Sequence, residues 1–196
     1  MIPIGDSTEG RGTPWVNYAL ILMNVAVFLF MLSLSTAESP NPFQRAQDRS
    51  RLQNGSCYGL ATTASATDSF ICKWAFQPKE FFDNLEGHSD VSRPDRPVIL
   101  FSIITAMFLH AGWLHLGGNM LFLWVFGDNA ERRMGHAGYL LFYFVAGIAA
   151  TLVQGLIDTS SIVPVLGASG AIAGVLGAYI IFSRVRRSAL SSHSSR

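Results

Sequence analysis

The sequence predicts an all-α polytopic membrane protein. Two observations carry that class. The chain of 196 residues is 49% hydrophobic and only 14% charged, where soluble domains carry about 25% charged residues. Its apolar residues also gather into stretches long enough to cross about 30 Å of hydrocarbon, which takes roughly 20 helical residues. A net charge of +1 gives no reason to expect a nucleic-acid partner; the lipid bilayer is the expected surroundings.

The first span covers 16–34, with Asn17, Asn24 and Ser33 as its polar interruptions. It is too long for the core of a cleavable signal, and no A-x-A-like site follows it. The apolar run from Val98 to Phe126 would reach about 43 Å as one helix, too far for a straight span. A break is therefore expected near His110-Ala111-Gly112, with a short interfacial helix over 98–109 before it and a second span over 113–130 after it. The third span covers 138–157 and the fourth 164–183. Residues 1–14 form an N-terminal segment, 15–183 the membrane domain, 35–97 a long loop and 184–196 a basic, serine-rich tail.

Orientation follows from Lys and Arg in the short connections. Arg132 and Arg133 lie between spans two and three, Arg184, Arg186 and Arg187 follow span four, and Arg11 precedes span one. The short connection between spans three and four has Asp158 and no basic residue. Both termini are therefore expected in the cytoplasm, with 158–162 and the long loop outside, in a bacterial inner membrane. Long loops such as 35–97 largely escape the charge rule. That loop contains both cysteines. An outer compartment is oxidising, so a Cys57–Cys72 disulfide is expected, with two free thiols as the alternative. Its part from Phe70 to Phe82, which includes ICKWAFQPKEFF, is aromatic and expected to pack on the bundle or the membrane surface.

Polar side chains inside a span are costly and mark function. His115 and Asn119, in HLGGNM, are four apart and share a helix face. His110 stands five residues earlier, at the expected break. Ser169, in GASG, lies near the outer end of span four, about five residues past Pro164. A serine is a nucleophile only when a base accepts its proton, and acyl transfer also needs donors aimed at the developing oxyanion. A His N–H and an Asn amide one turn apart can supply those donors, and so can backbone amides at a helix start. Both sets fall at similar depth on the same side. Packing is the competing explanation: Gly170, Gly174 and Ala178 form a small-residue stripe that lets membrane helices approach without any chemistry. Metal binding is a poor fit, since His110 and His115 have no third ligand beside them.

The stretches HAGWLHLGGNMLFLW (110–124), GDNAERRMG (127–135) and GASGAIAGVLGAY (167–179) together resemble the rhomboid family of intramembrane serine proteases. The resemblance runs from about residue 97 to 182, and more loosely back through the first span and WAFQPKEFF. It implies a rhomboid-like helix bundle with four of the usual six core helices. It makes Ser169 the nucleophile, and His115, Asn119 and the Ser169 amide the oxyanion hole. Gly167 matches the glycine two before the nucleophile, Gly170 completes the motif, and His110 matches a structural histidine. Glu131 and Arg133 match a cytoplasmic capping segment. The family cuts transmembrane substrates near the outer membrane face without metal or cofactor.

The family's general base is a histidine on the sixth core helix. The one histidine after Ser169 is His193, about 36 Å away along a helix. The sequence thus reads as a rhomboid shortened after its fourth span, lacking the base and inactive alone. The alternative is a catalytically dead relative that binds transmembrane helices. The stripe Gly170/Gly174/Ala178 is then expected to face lipid or a second copy, favouring self-association.

Overall fold

A computed structural model describes residues 12–36, 66–87 and 96–193. Helix α1 (Trp15–Thr36) is the first apolar helix; α2 (Ala66–Trp74) and α3 (Pro78–Glu86) follow. Next come α4 (Arg96–Thr105), continued by a 3-10 turn (Ala106–Phe108), and α5 (Trp113–Phe122). A π-helical turn (Leu123–Gly127) carries α5 into α6 (Asp128–Met134). Helix α7 (His136–Ile157) and helix α8 (Ser169–His193) complete the order.

Helices α1 and α7 are each long and apolar enough to cross a membrane. The pair Ile99–Phe108 and Trp113–Met134 bends by 79° at its break. The bend follows from the backbone: Leu109 turns extended after the 3-10 turn, and Gly112 is extended before Trp113 restarts the helix.

Two further boundaries differ from the sequence reading. Helix α8 starts at Ser169, not at Pro164, and its apolar part is the shorter Ser169–Ser183. Residues 163–168 form an irregular, non-helical segment instead. Gly167 sits at φ 116°, outside the helical region, and Val165 pairs antiparallel with Phe76. The backbone of α8 also stays helical through the basic segment to His193.

The bundle has two ends. At the Glu131 end, the start of α1 meets the α6–α7 turn. At the Ser169 end, α2, α3 and the 3-10 turn cover the tops of the long helices. The main core joins Leu20, Met107, Leu123, Tyr139, Tyr143, Ala168, Ile172 and Val175. Helix α7 packs along α8 through small residues. A Cβ on Gly174 would stand 2.6 Å from Ala146 Cβ, and Gly170 lies against Ala150 in the same way. Ala178 is buried on this helix. The small-residue stripe is therefore used inside the chain, which corrects the expectation that it faces lipid or a second copy. Gly177, on another face, has nothing within 4 Å of its Cβ position.

The aromatic loop segment packs on the bundle. Phe76 is fully buried, and a Cβ on Gly155 of α7 would come within 2.8 Å of its ring. Cys72, on α2, is buried and disulfide-bonded; Cys57 lies outside the described residues.

Candidate active site

The site is built where three backbone segments converge. The first is the non-helical strap 161–167 leading into α8. Phe76 N–H donates to Val165 O (3.2 Å) and Val165 N–H donates to Phe76 O (2.7 Å). Lys79 N–H donates to Ser161 O at 3.0 Å, and the Gln77 side-chain amide donates to Ile162 O at 2.8 Å. Gly167 N–H donates to Ala106 O at 2.8 Å, which ties the strap to the 3-10 turn. These bonds satisfy backbone groups that have no helix of their own.

Ser169 is the first residue of α8 and is exposed. The first turn of a helix has amides without intrahelical partners and a positive dipole end. The serine thus sits at the helix terminus itself, not about five residues inside the helix.

His115 and Asn119 come from α5. A Cβ on Gly167 would stand 2.7 Å from both Cε1 and Nε2 of His115 and 3.8 Å from Asn119 Nδ2. Gly167 is thus required twice, by its positive φ and by lack of space. It also places both side chains against the backbone two residues before Ser169. Asn119 is 8% exposed, and its Nδ2 is buried without a hydrogen-bond partner. A buried amide left unpaired costs about 1–3 kcal/mol.

His110 is buried behind His115. The two rings meet edge to face with centroids 5.1 Å apart. His110 Nδ1 lies 3.3 Å from Phe108 O, and its Nε2 is buried without a partner. His110 therefore fixes the face on which His115 rests. Among the described residues, no three His, Cys, Asp or Glu side chains gather as a metal site would require.

The Glu131 end holds the other resemblance residues. Glu131 is 1% exposed. Its carboxylate accepts the amides of Val16 (3.0 Å) and Asn17 (2.6 Å) and pairs with His136 Nδ1. It caps the start of α1, where free amides and the helix dipole favour an anion. The Arg133 guanidinium lies 5.7 Å over the Phe182 ring, joining α6 to α8.

Two groups of residues had no distinct signal in the sequence. Phe76 and Gln77 hold the strap, yet read only as part of an aromatic loop. Asn17 and Tyr139 grip the π-helical turn, yet Asn17 read only as a polar interruption of the first span.

Comparison with known proteins identifies the family. The family described as Rhomboid domain matches residues 99–196. Rhomboid-like protein 11, chloroplastic, of Arabidopsis thaliana is 38% identical over 81 residues, covering 41% of this chain and 29% of that protein. RHOMBOID-like protein 1 of the same plant is 29% identical over 176 residues, covering 85% of this chain and 39% of that protein. Rhomboid protease GluP of Bacillus subtilis is 41% identical over 78 residues, covering 40% and 15%. The chain spans 29%, 39% and 52% of the length of three curated relatives it matches. No solved structure matches. The matched half of the chain contains His110, His115, Asn119, Glu131 and Ser169 together, in a bundle of apolar helices, and the chain belongs to the rhomboid family, a family of intramembrane serine peptidases.

Proposed function

We propose that the chain carries the nucleophile and oxyanion elements of an intramembrane serine endopeptidase acting on transmembrane substrates near the outer membrane face. Ser169 attacks the scissile carbonyl. Asn119, His115 and the amides at the start of α8 receive the oxyanion. The observation that supports this reading best is the convergence of the His115 ring and the unpaired Asn119 amide on Gly167, two residues before an exposed serine at a helix terminus. Preorganised donors of this kind are worth about 2.7–4 kcal/mol each in acyl transfer. The substrate helix must unwind locally, since its backbone groups are otherwise paired. The serine end faces the outer side in this reading, with both termini in the cytoplasm.

The proton of Ser169 needs a separate acceptor. Among the described histidines, only His115 approaches the serine loop; His136 sits at the Glu131 end, paired with Glu131. His115 cannot donate to the oxyanion and accept the serine proton in one step. With no second base placed beside Ser169 among the described residues, the reaction is expected to be slow, by the orders of magnitude that loss of a general base costs. A second reading, a protein that binds transmembrane helices without cutting them, draws support from the open space beside Gly177 on α8.

The test is labelling by a serine-reactive fluorophosphonate on the full chain in lipid nanodiscs, with and without added imidazole. Weak labelling that imidazole raises and Ser169→Ala abolishes supports the reading. Strong labelling without imidazole overturns the expectation of a slow reaction. Labelling that survives Ser169→Ala, or none even with imidazole, overturns the serine assignment.

A further inference from the structure

The helix that carries His115 and Asn119 is interrupted one turn later by the π-helical turn Leu123–Gly127. Such turns insert one residue into an α-helix and often mark functional sites. Here the widened turn is filled by a side chain from another helix. Asn17 of α1 is fully buried. Its Nδ2 donates to Leu123 O at 3.0 Å. Its Oδ1 accepts the Tyr139 hydroxyl of α7 at 2.9 Å. Gly127 provides the room: a Cβ there would stand 2.7 Å from Asn17 Cγ and from the Tyr139 hydroxyl. The backbone of Asn17 is itself fixed, since its amide donates to the buried Glu131 carboxylate. On the other side of the turn, Leu123 N–H donates to Asn119 O. One residue thus separates Asn17 from the turn that bears the oxyanion amide.

We infer that Asn17 is a positioning residue: by holding the π-helical turn open, it sets the rotation of α5 that aims His115 and Asn119 at Gly167. The Glu131 half of this bent helix is anchored to α1, so relaxing the turn to regular α-helix moves the other half. Removing one residue from the register rotates that half by about 100°, or about 8 Å at the side-chain radius. His115 and Asn119 then leave the Gly167 face altogether. The catalytic consequence rests on the proposed oxyanion roles of these two residues; the rotation itself does not.

The test reads helix rotation directly. Spin labels at Leu114→Cys on α5 (94% exposed) and Val153→Cys on α7 (59% exposed) report their separation in the full chain, Cys72 being already bonded. Asn17→Leu is expected to shift that distance distribution by several ångströms. Asn24→Leu removes a buried asparagine whose Nδ2 bonds Leu20 O within α1 and which meets Tyr143 of α7, with no bond to the π-helical turn, and is expected to leave the distribution in place. An unchanged distribution in folded Asn17→Leu, or an equal shift in Asn24→Leu, overturns the inference. If Asn17→Leu fails to fold, Tyr139→Phe removes a single hydroxyl from the grip. A second distance population is then expected, and a wild-type distribution overturns the inference. The measurement needs no activity. A rotation seen without imidazole-dependent labelling of Ser169 therefore separates failure of the serine reading from failure of this one.

Discussion

The His115 imidazole rests on the backbone of Gly167, so close that a Cβ at residue 167 would stand 2.7 Å from its Nε2. Neither side of this contact can move without the other, because Gly167 N–H is bonded to Ala106 and His115 is backed by the buried His110 ring. Gly167→Ala meets both the clash and a φ of 116°. A strained backbone of this kind costs about 1–3 kcal/mol. The variant is expected to lower the thermal midpoint and to abolish imidazole-supported labelling of Ser169.

Glu131 is a single buried carboxylate serving two α1 amides. Glu131→Ala leaves those donors unpaired, and hydrogen bonds to a charged group are worth about 1.5–3 kcal/mol each. Its thermal midpoint should fall markedly. The helical pair Lys79–Asp83 is partly exposed, and Asp83→Ala should cost no more than about 0.5 kcal/mol. Comparable losses in the two variants would contradict the assignment of Glu131 as the cap of α1.

The glycines of α8 divide by face. Gly174→Val places its side chain into Ala146, within 2.6 Å at the Cβ alone. Overpacking of this sort costs about 1–3 kcal/mol, so separation of α7 from α8 and reduced stability are expected. Gly177→Ala has open space around it and gains helix propensity; it should be neutral or stabilising. Melting curves of both variants in one detergent give the comparison.

Phe76 supplies both a buried ring and the backbone bridge to Val165. Phe76→Ala deletes the ring packed against Gly155 and is expected to cost about 3–5 kcal/mol. The strap before Ser169 loosens with it. Hydrogen exchange at Val165 and Gly167 should rise more than at the middle of α7; equal changes in both places would show general unfolding instead.

Much of the site was legible in the sequence, because helix periodicity is local. The spacing of His115 and Asn119 fixes them on one face, and the glycine-rich GASG motif marks the serine. The excess length of Val98–Phe126 demanded a break, and the helices bend by 79° there. What periodicity cannot give is the partner of each face. Gly170 and Gly174 looked like a surface for another helix, yet α7 occupies them. Val163–Ala168 looked like the start of a span, because an apolar run has the same composition whether it coils or pairs. Residues far away in the chain, Phe76 bonded to Val165 and Ala106 bonded to Gly167, hold it out of the helix.

By itself, then, the sequence determined a helical membrane protein of the rhomboid family, with a candidate serine, histidine and asparagine at motif spacing. Hydropathy, helix pitch and motif spacing depend on neighbours along the chain, and those are written in it. The tertiary structure alone decided that Ser169 begins its helix, that Gly167 is the surface on which the donors converge, and that Asn17 fills the π-helical turn. Each of these depends on contacts across large sequence separations, where packing and the pairing of buried polar groups outweigh local preference.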